Sequence, residues 1–197
     1  VLLDPEARQD PAQGGPAWGR LREPMVRFVQ WARTFGATSS DGEWILWDLS
    51  DPSTSLGQSP LRSPSVFNFF RPGYVPPGTA LAERQQAAPE FQITNENSVA
   101  GYLNFMQGVI AWGAWGSSTS KIWVENYARE MALVQDAGAL VERVNLLLAA
   151  GRLSAATVAT IQSAIGSINP NSDWARKQRV WSAIMLVMAC PEYLVQQ

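Results

Sequence analysis

Two carboxylates, Glu90 and Glu96, lie in one short stretch with Asn95 and Asn97 flanking the second, and Arg71 and Tyr74 precede them. Two carboxylates beside a guanidinium can form an acid/base pair or a clamp for a polar ligand, provided they converge in space. The same residue types also serve a helix start. An asparagine there accepts from the free N–H groups, and a carboxylate in the first turn suits the positive end of the dipole. On that reading Arg71 pairs with a carboxylate and pins a loop.

A second cluster is DGEWILWDLSD, residues 41–51, with four acids beside Trp44 and Trp47. The acids lack the spacing and central glycine of a calcium-binding EF-hand loop. The two indoles either stack on sugar rings or anchor a surface loop to the core. A third stretch, GAWGSSTSK at 113–121, has the residue types of a phosphate-binding loop without their order, and no strand pattern precedes it. Trp112 and Trp115 therefore read as packing at a helix end.

Other chemistries are excluded by composition. The chain has no histidine and one cysteine, Cys190, in the apolar run MLVMACPEYLV. Serine–histidine and cysteine–histidine dyads, an internal disulfide and ordinary histidine or cysteine metal sites are absent from this sequence. No metal and no cofactor is expected. The net charge of −2 and thirteen scattered arginines leave no basic footprint for nucleic acid. No apolar run reaches the length that spans a bilayer.

The elements that must position these groups read as mainly α. Pro5 opens a short helix, and DPAQGGPAWG, residues 10–19, is turn chemistry. Leu21 to Phe35 is amphipathic: Leu21, Met25, Phe28, Ala32 and Phe35 face inward, Arg22, Arg27 and Arg33 point elsewhere, and Pro24 sits in the first turn. Residues 37–93 are rich in aromatics and proline and read as an ordered irregular wrap. Within them, 45–47 is a short strand or buried turn, and Ser63-Pro64 starts a short helix through Phe70. Thr94 caps a helix to Trp112. A further helix carries Trp123, Tyr127, Met131 and Val134. Asp136, Ser154 and Asn171 or Ser172 start three more, the last carrying Trp174, Trp181, Ile184, Met185 and Met188. The expected architecture is a helical, bundle-like domain with a long ordered aromatic/Pro-rich segment. Its parts are N-terminal helices (1–36), wrap (37–93) and helical body (94–197).

VLLDPEAR at 1–8, LREP at 21–24, SPSVFNFFRPGYVPPG at 63–78, APEFQITNENSVAGYLNFM at 88–106 and RVWSAIMLVMACPEYLVQ at 179–196 occur in order along nearly the whole chain. In these blocks the sequence resembles the bacterial domain-of-unknown-function 1800 family. The resemblance implies an exported or envelope-associated protein. It implies that residues 1–197 are the C-terminal portion of a larger helical domain, with histidines in the part not present. A protein of the 1501 family, often encoded alongside, is the implied partner. Cys190 stands where the family often has serine, which favours packing or capping over chemistry. The leading expectation is a structural or interaction protein that packs against the rest of its own domain and a partner. The alternative is a hydrolase of an envelope polymer or glycan that uses Glu90 and Glu96.

Overall fold

The computed structural model describes residues 3–196 except 9, 11, 12, 14–17, 117 and 118. Its body is built from α4 (Glu96–Trp112), α6 (Ala137–Ala149), α7 (Ala155–Gly166) and α8 (Asp173–Ala189). The mainly α class is as the sequence predicts. Helix α8 is the central post, in contact with α4, α6 and α7. Val180, Ala183, Ile184, Val187 and Met188 recur along it at helical spacing and are completely buried. Leu140, Val144 and Leu148 of α6 and Ile161 and Ile165 of α7 complete that core.

Each long helix of this body starts on a polar cap. The side chains of Asn95, Asp136, Ser154 and Ser172 accept from backbone N–H groups three residues on, and Asn95 and Ser98 form a reciprocal capping box. The cap of α4 is thus Asn95, one residue beyond the expected Thr94.

Helix α2 (Pro24–Thr34) lies on this body. Two of its features were not anticipated. Trp31 is fully buried, and its Nε1 donates to the Tyr127 hydroxyl, which donates in turn to the Ile110 carbonyl. Arg27, expected to point outward, is buried with its guanidinium 4.1 Å from the Tyr102 ring centre. Arg22 lies over Tyr193 in the same way, at 4.9 Å. Arg22 and Gln30 also donate to the Leu148 carbonyl near the end of α6, where helix carbonyls lack partners. The LREP motif thereby docks α2. Its glutamate does the rest: Glu23 accepts from Gln58 Nε2 at 2.6 Å, while Gln58 Oε1 accepts from Met25 N in the first turn of α2. A side chain of the wrap therefore supplies the cap that α2 lacks locally.

Two small antiparallel sheets were not expected. In one, β1 (Arg20–Leu21) pairs with β5 (Val195–Gln196), so the chain end returns beside α2. In the other, β4 (Lys121–Trp123) lies between β2 (Thr38–Ser39) and β3 (Ala114–Trp115). Trp123 is therefore on a strand, and the helix expected through Val134 shrinks to the single turn α5 (Ala128–Met131). Most of 10–19, and Ser117 and Ser118 of the 113–121 stretch, fall outside the described residues. The remaining short helices are α1 (Pro5–Arg8), α3 (Ala80–Glu83) and α9 (Pro191–Leu194), with a 3-10 turn at Pro89–Ile93.

The wrap is ordered but contains no helix at 63–70. Ser65 and Asn68 form an isolated bridge, closing a tight turn with Asn68 in the left-handed region. The turn forms because the Ser65 hydroxyl accepts from Phe67 N, and asparagine tolerates positive φ better than most residues.

Candidate functional site

The polar residues singled out by sequence fall into two groups. Arg71 is exposed; its backbone N–H donates to Gln92 Oε1 at 2.7 Å, and the half-buried Tyr74 accepts from Ala88 N through its carbonyl. Both are thus tied to the segment that carries Glu90, which sits in the first turn of the 3-10 helix and lines a cavity of about 480 Å³ with Arg20 and Gln86. The second group belongs to the start of α4. Asn95 is its cap, Glu96 its first residue, and Asn97 the next, all three exposed.

The acids of residues 41–51 build turns. Asp41 accepts from Glu43 N, Asp48 from the Ser50 hydroxyl and N–H, and Asp51 from the Ser53 hydroxyl and N–H. These bonds hold all three carboxyls below their ordinary range: the Glu43 N–H chiefly for Asp41, the Ser50 hydroxyl for Asp48, the Ser53 hydroxyl for Asp51. Among the described residues no group of acids is placed to hold a metal ion.

These turns carry Trp44 and Trp47, which are 62% and 60% exposed. The indoles therefore do not anchor the loop. Leu49 and Leu56 do, both buried in the core, together with two glycines that admit the wrap's backbone. A Cβ on Gly101 would lie 2.2 Å from the Pro52 carbonyl oxygen, and one on Gly116 would overlap the Ile45 carbonyl. The 63–78 signature behaves the same way. Val66 is 94% and Phe67 58% exposed, and Leu61 is fully exposed at the turn before them. Arg62 and Asp48 form an ion pair at 3.4 Å, which joins the Trp44–Trp47 stretch to the 61–67 turn. The outcome is a wrap that is anchored from within and exposes large apolar side chains at both 44–47 and 61–67.

The family model described as "Protein of unknown function (DUF1800)" matches residues 1–195, the signature segment included. The chain belongs to the DUF1800 family. No curated protein and no solved structure matches it.

The DUF1800 chain has a further concave feature. A groove of about 800 Å³ runs between α4, the end of α7 and α8. Its wall is a trio of indoles: Trp112 stacks on Trp174 at 5.8 Å, and Trp181 meets both at 5.5 Å. Trp112 and Trp174 stay more than half exposed, contrary to the packing role expected for Trp112. The neutral side chains of Asn104, Gln107, Gln178, Ser167 and Ser182 line the same groove. Sequence did carry a signal for it. On α8, Trp174, Gln178, Trp181 and Ser182 recur at i, i+4, i+7 and i+8, an aromatic stripe interleaved with amides that a purely core-facing stripe would not contain. Its match on α4 is Asn104, Gln107 and Trp112, and only the fold brings the two stripes together.

Proposed function

We propose that this DUF1800 domain is a protein-interaction module, and that Trp44, Ile45, Trp47, Leu61, Val66 and Phe67 form its docking face. The observation that carries this reading is the joint exposure of these side chains on a segment fixed by buried anchors and by the Arg62–Asp48 pair. Exposed apolar side chains gathered on an ordered scaffold mark an interaction site, and aromatic and arginine residues dominate binding at such sites. The matching surface is an apolar cleft on the partner protein.

In this reading the compartment is the cell envelope or exterior, residues 1–197 complete a larger helical domain, and a 1501-family protein is the first partner to test. Each of these follows from the family resemblance. The glycan-hydrolase alternative draws less support, because Glu96 is exposed in the first turn of α4, beside its Asn95 cap, while Glu90 lines a separate cavity.

The test is co-purification of the full-length protein from its host, wild type against Val66→Ser/Phe67→Ser, with a 1501-family protein tagged. Stoichiometric recovery with wild type and loss with a variant of unchanged Tm is expected. Equal recovery with both proteins would remove this face from the interaction.

A further inference from the structure

The tryptophan groove shares no lining residue with the 44–67 face. Its lining combines two kinds of group. Trp112, Trp174 and Trp181 offer broad apolar faces, and Trp112 and Trp174 remain more than half exposed although stacked on each other. Asn104, Gln107, Gln178, Ser167 and Ser182 offer neutral amides and hydroxyls, each able to donate and accept. None of the described lining residues is charged.

This combination selects among ligand classes. A charged ligand would lose its hydration and meet no counter-charge among the described residues that line the groove. A wholly apolar occupant would cover five polar side chains and leave them without partners, which costs each its hydrogen bonds to water. A sugar ring fits both features. Its axial C–H faces are apolar and lie flat on an indole, while its edge hydroxyls both donate and accept. The groove volume of about 800 Å³ falls within the range of small-molecule sites, roughly 300–1,000 Å³. We infer that the groove between α4 and α8 is a binding site for a neutral saccharide, with Trp112 and Trp174 as stacking platforms and Gln107 and Gln178 as hydroxyl-reading amides.

The test uses the full-length protein and a panel of neutral oligosaccharides, among them cellotetraose, chitotetraose and maltotetraose, followed by tryptophan fluorescence and calorimetry. At least one is expected to bind saturably, with enthalpy change and a shifted indole emission. Trp174→Ala should weaken that binding at least tenfold. Because Trp174→Ala also removes packing, Gln107→Ala/Gln178→Ala serves as a second variant; it should fold normally and weaken binding by a similar factor. Trp44→Ala/Trp47→Ala should bind as wild type, which separates this site from the protein-docking face. Three results would overturn the inference: no saturable binding across the panel, binding that survives both groove variants, or a groove already filled by another segment of the full-length chain. Tighter binding of apolar peptides than of any saccharide, abolished by Trp174→Ala, would likewise replace it.

Discussion

Arg62 and Asp48 meet at 3.4 Å, and that ion pair ties the exposed Trp44–Trp47 stretch to the exposed 61–67 turn. Both side chains are well exposed, so the pair contributes little to stability. Its role is geometric. Arg62→Ala should leave Tm within about 2 °C of wild type yet weaken partner capture severalfold, read by co-purification alongside calorimetry.

Gly101 is the place where the wrap crosses α4 in backbone-to-backbone contact. A methyl group there would stand 2.2 Å from the Pro52 carbonyl, so the wrap must lift. Gly101→Ala should destabilise by about 1–3 kcal/mol, as overpacking does. Limited proteolysis should then cut within residues 44–67 first.

Glu130 is buried and takes a 2.6 Å hydrogen-bonded ion pair from Arg143 Nε. Removing the cation alone leaves a buried carboxylate without its partner. Arg143→Leu should cost about 3 kcal/mol in urea unfolding, the low end for broken buried pairs because Arg143 is partly exposed. The double variant with Glu130→Gln should recover part of that loss.

Glu192 joins α9 to the cap of α7 by accepting from the Thr157 and Ser154 hydroxyls. The Thr157 bond, aided by Ser154, outweighs partial burial and lowers the carboxyl below its ordinary value of 4.5. The folded state thus favours the ionised form. The added stability is present above pH 4.5 and is lost as pH falls through the lower folded-state value. Glu192→Gln should flatten that part of the acid limb, seen in Tm measured from pH 6 down to pH 3.

Much of the helical body is legible in the sequence, because caps and apolar stripes are local. Asp136 and Ser154 are caps as predicted, and Leu140, Val144, Ile161 and Ile165 face inward. The departures share a cause. Arg27 is buried because Tyr102, far along the chain, offers its ring, and α2 is capped by Gln58 from the wrap. Neither relation has a local signature. The 63–70 segment has a good helix start in Ser63-Pro64, but Asn68 and the Ser65 hydroxyl favour a turn. Large aromatics normally dominate burial, so Trp44 and Trp47 read as loop anchors; their exposure emerges only once the true anchors, Leu49, Leu56 and the glycines, are placed. The Arg71–Tyr74 stretch is hydrogen-bonded to the segment that carries Glu90, but Asn95, Glu96 and Asn97 belong to the start of α4.

The central claim is that the 44–67 face is covered by another protein in the cell. The most direct measurement is photocrosslinking in the native host, with a benzophenone amino acid at position 67 of the full-length protein and a control at Thr160, which is exposed on α7. A discrete adduct with one other protein from position 67, lost when Trp44 and Trp47 are both changed to serine, is the predicted result. No intermolecular adduct from position 67, or the same adduct from position 160, would contradict it.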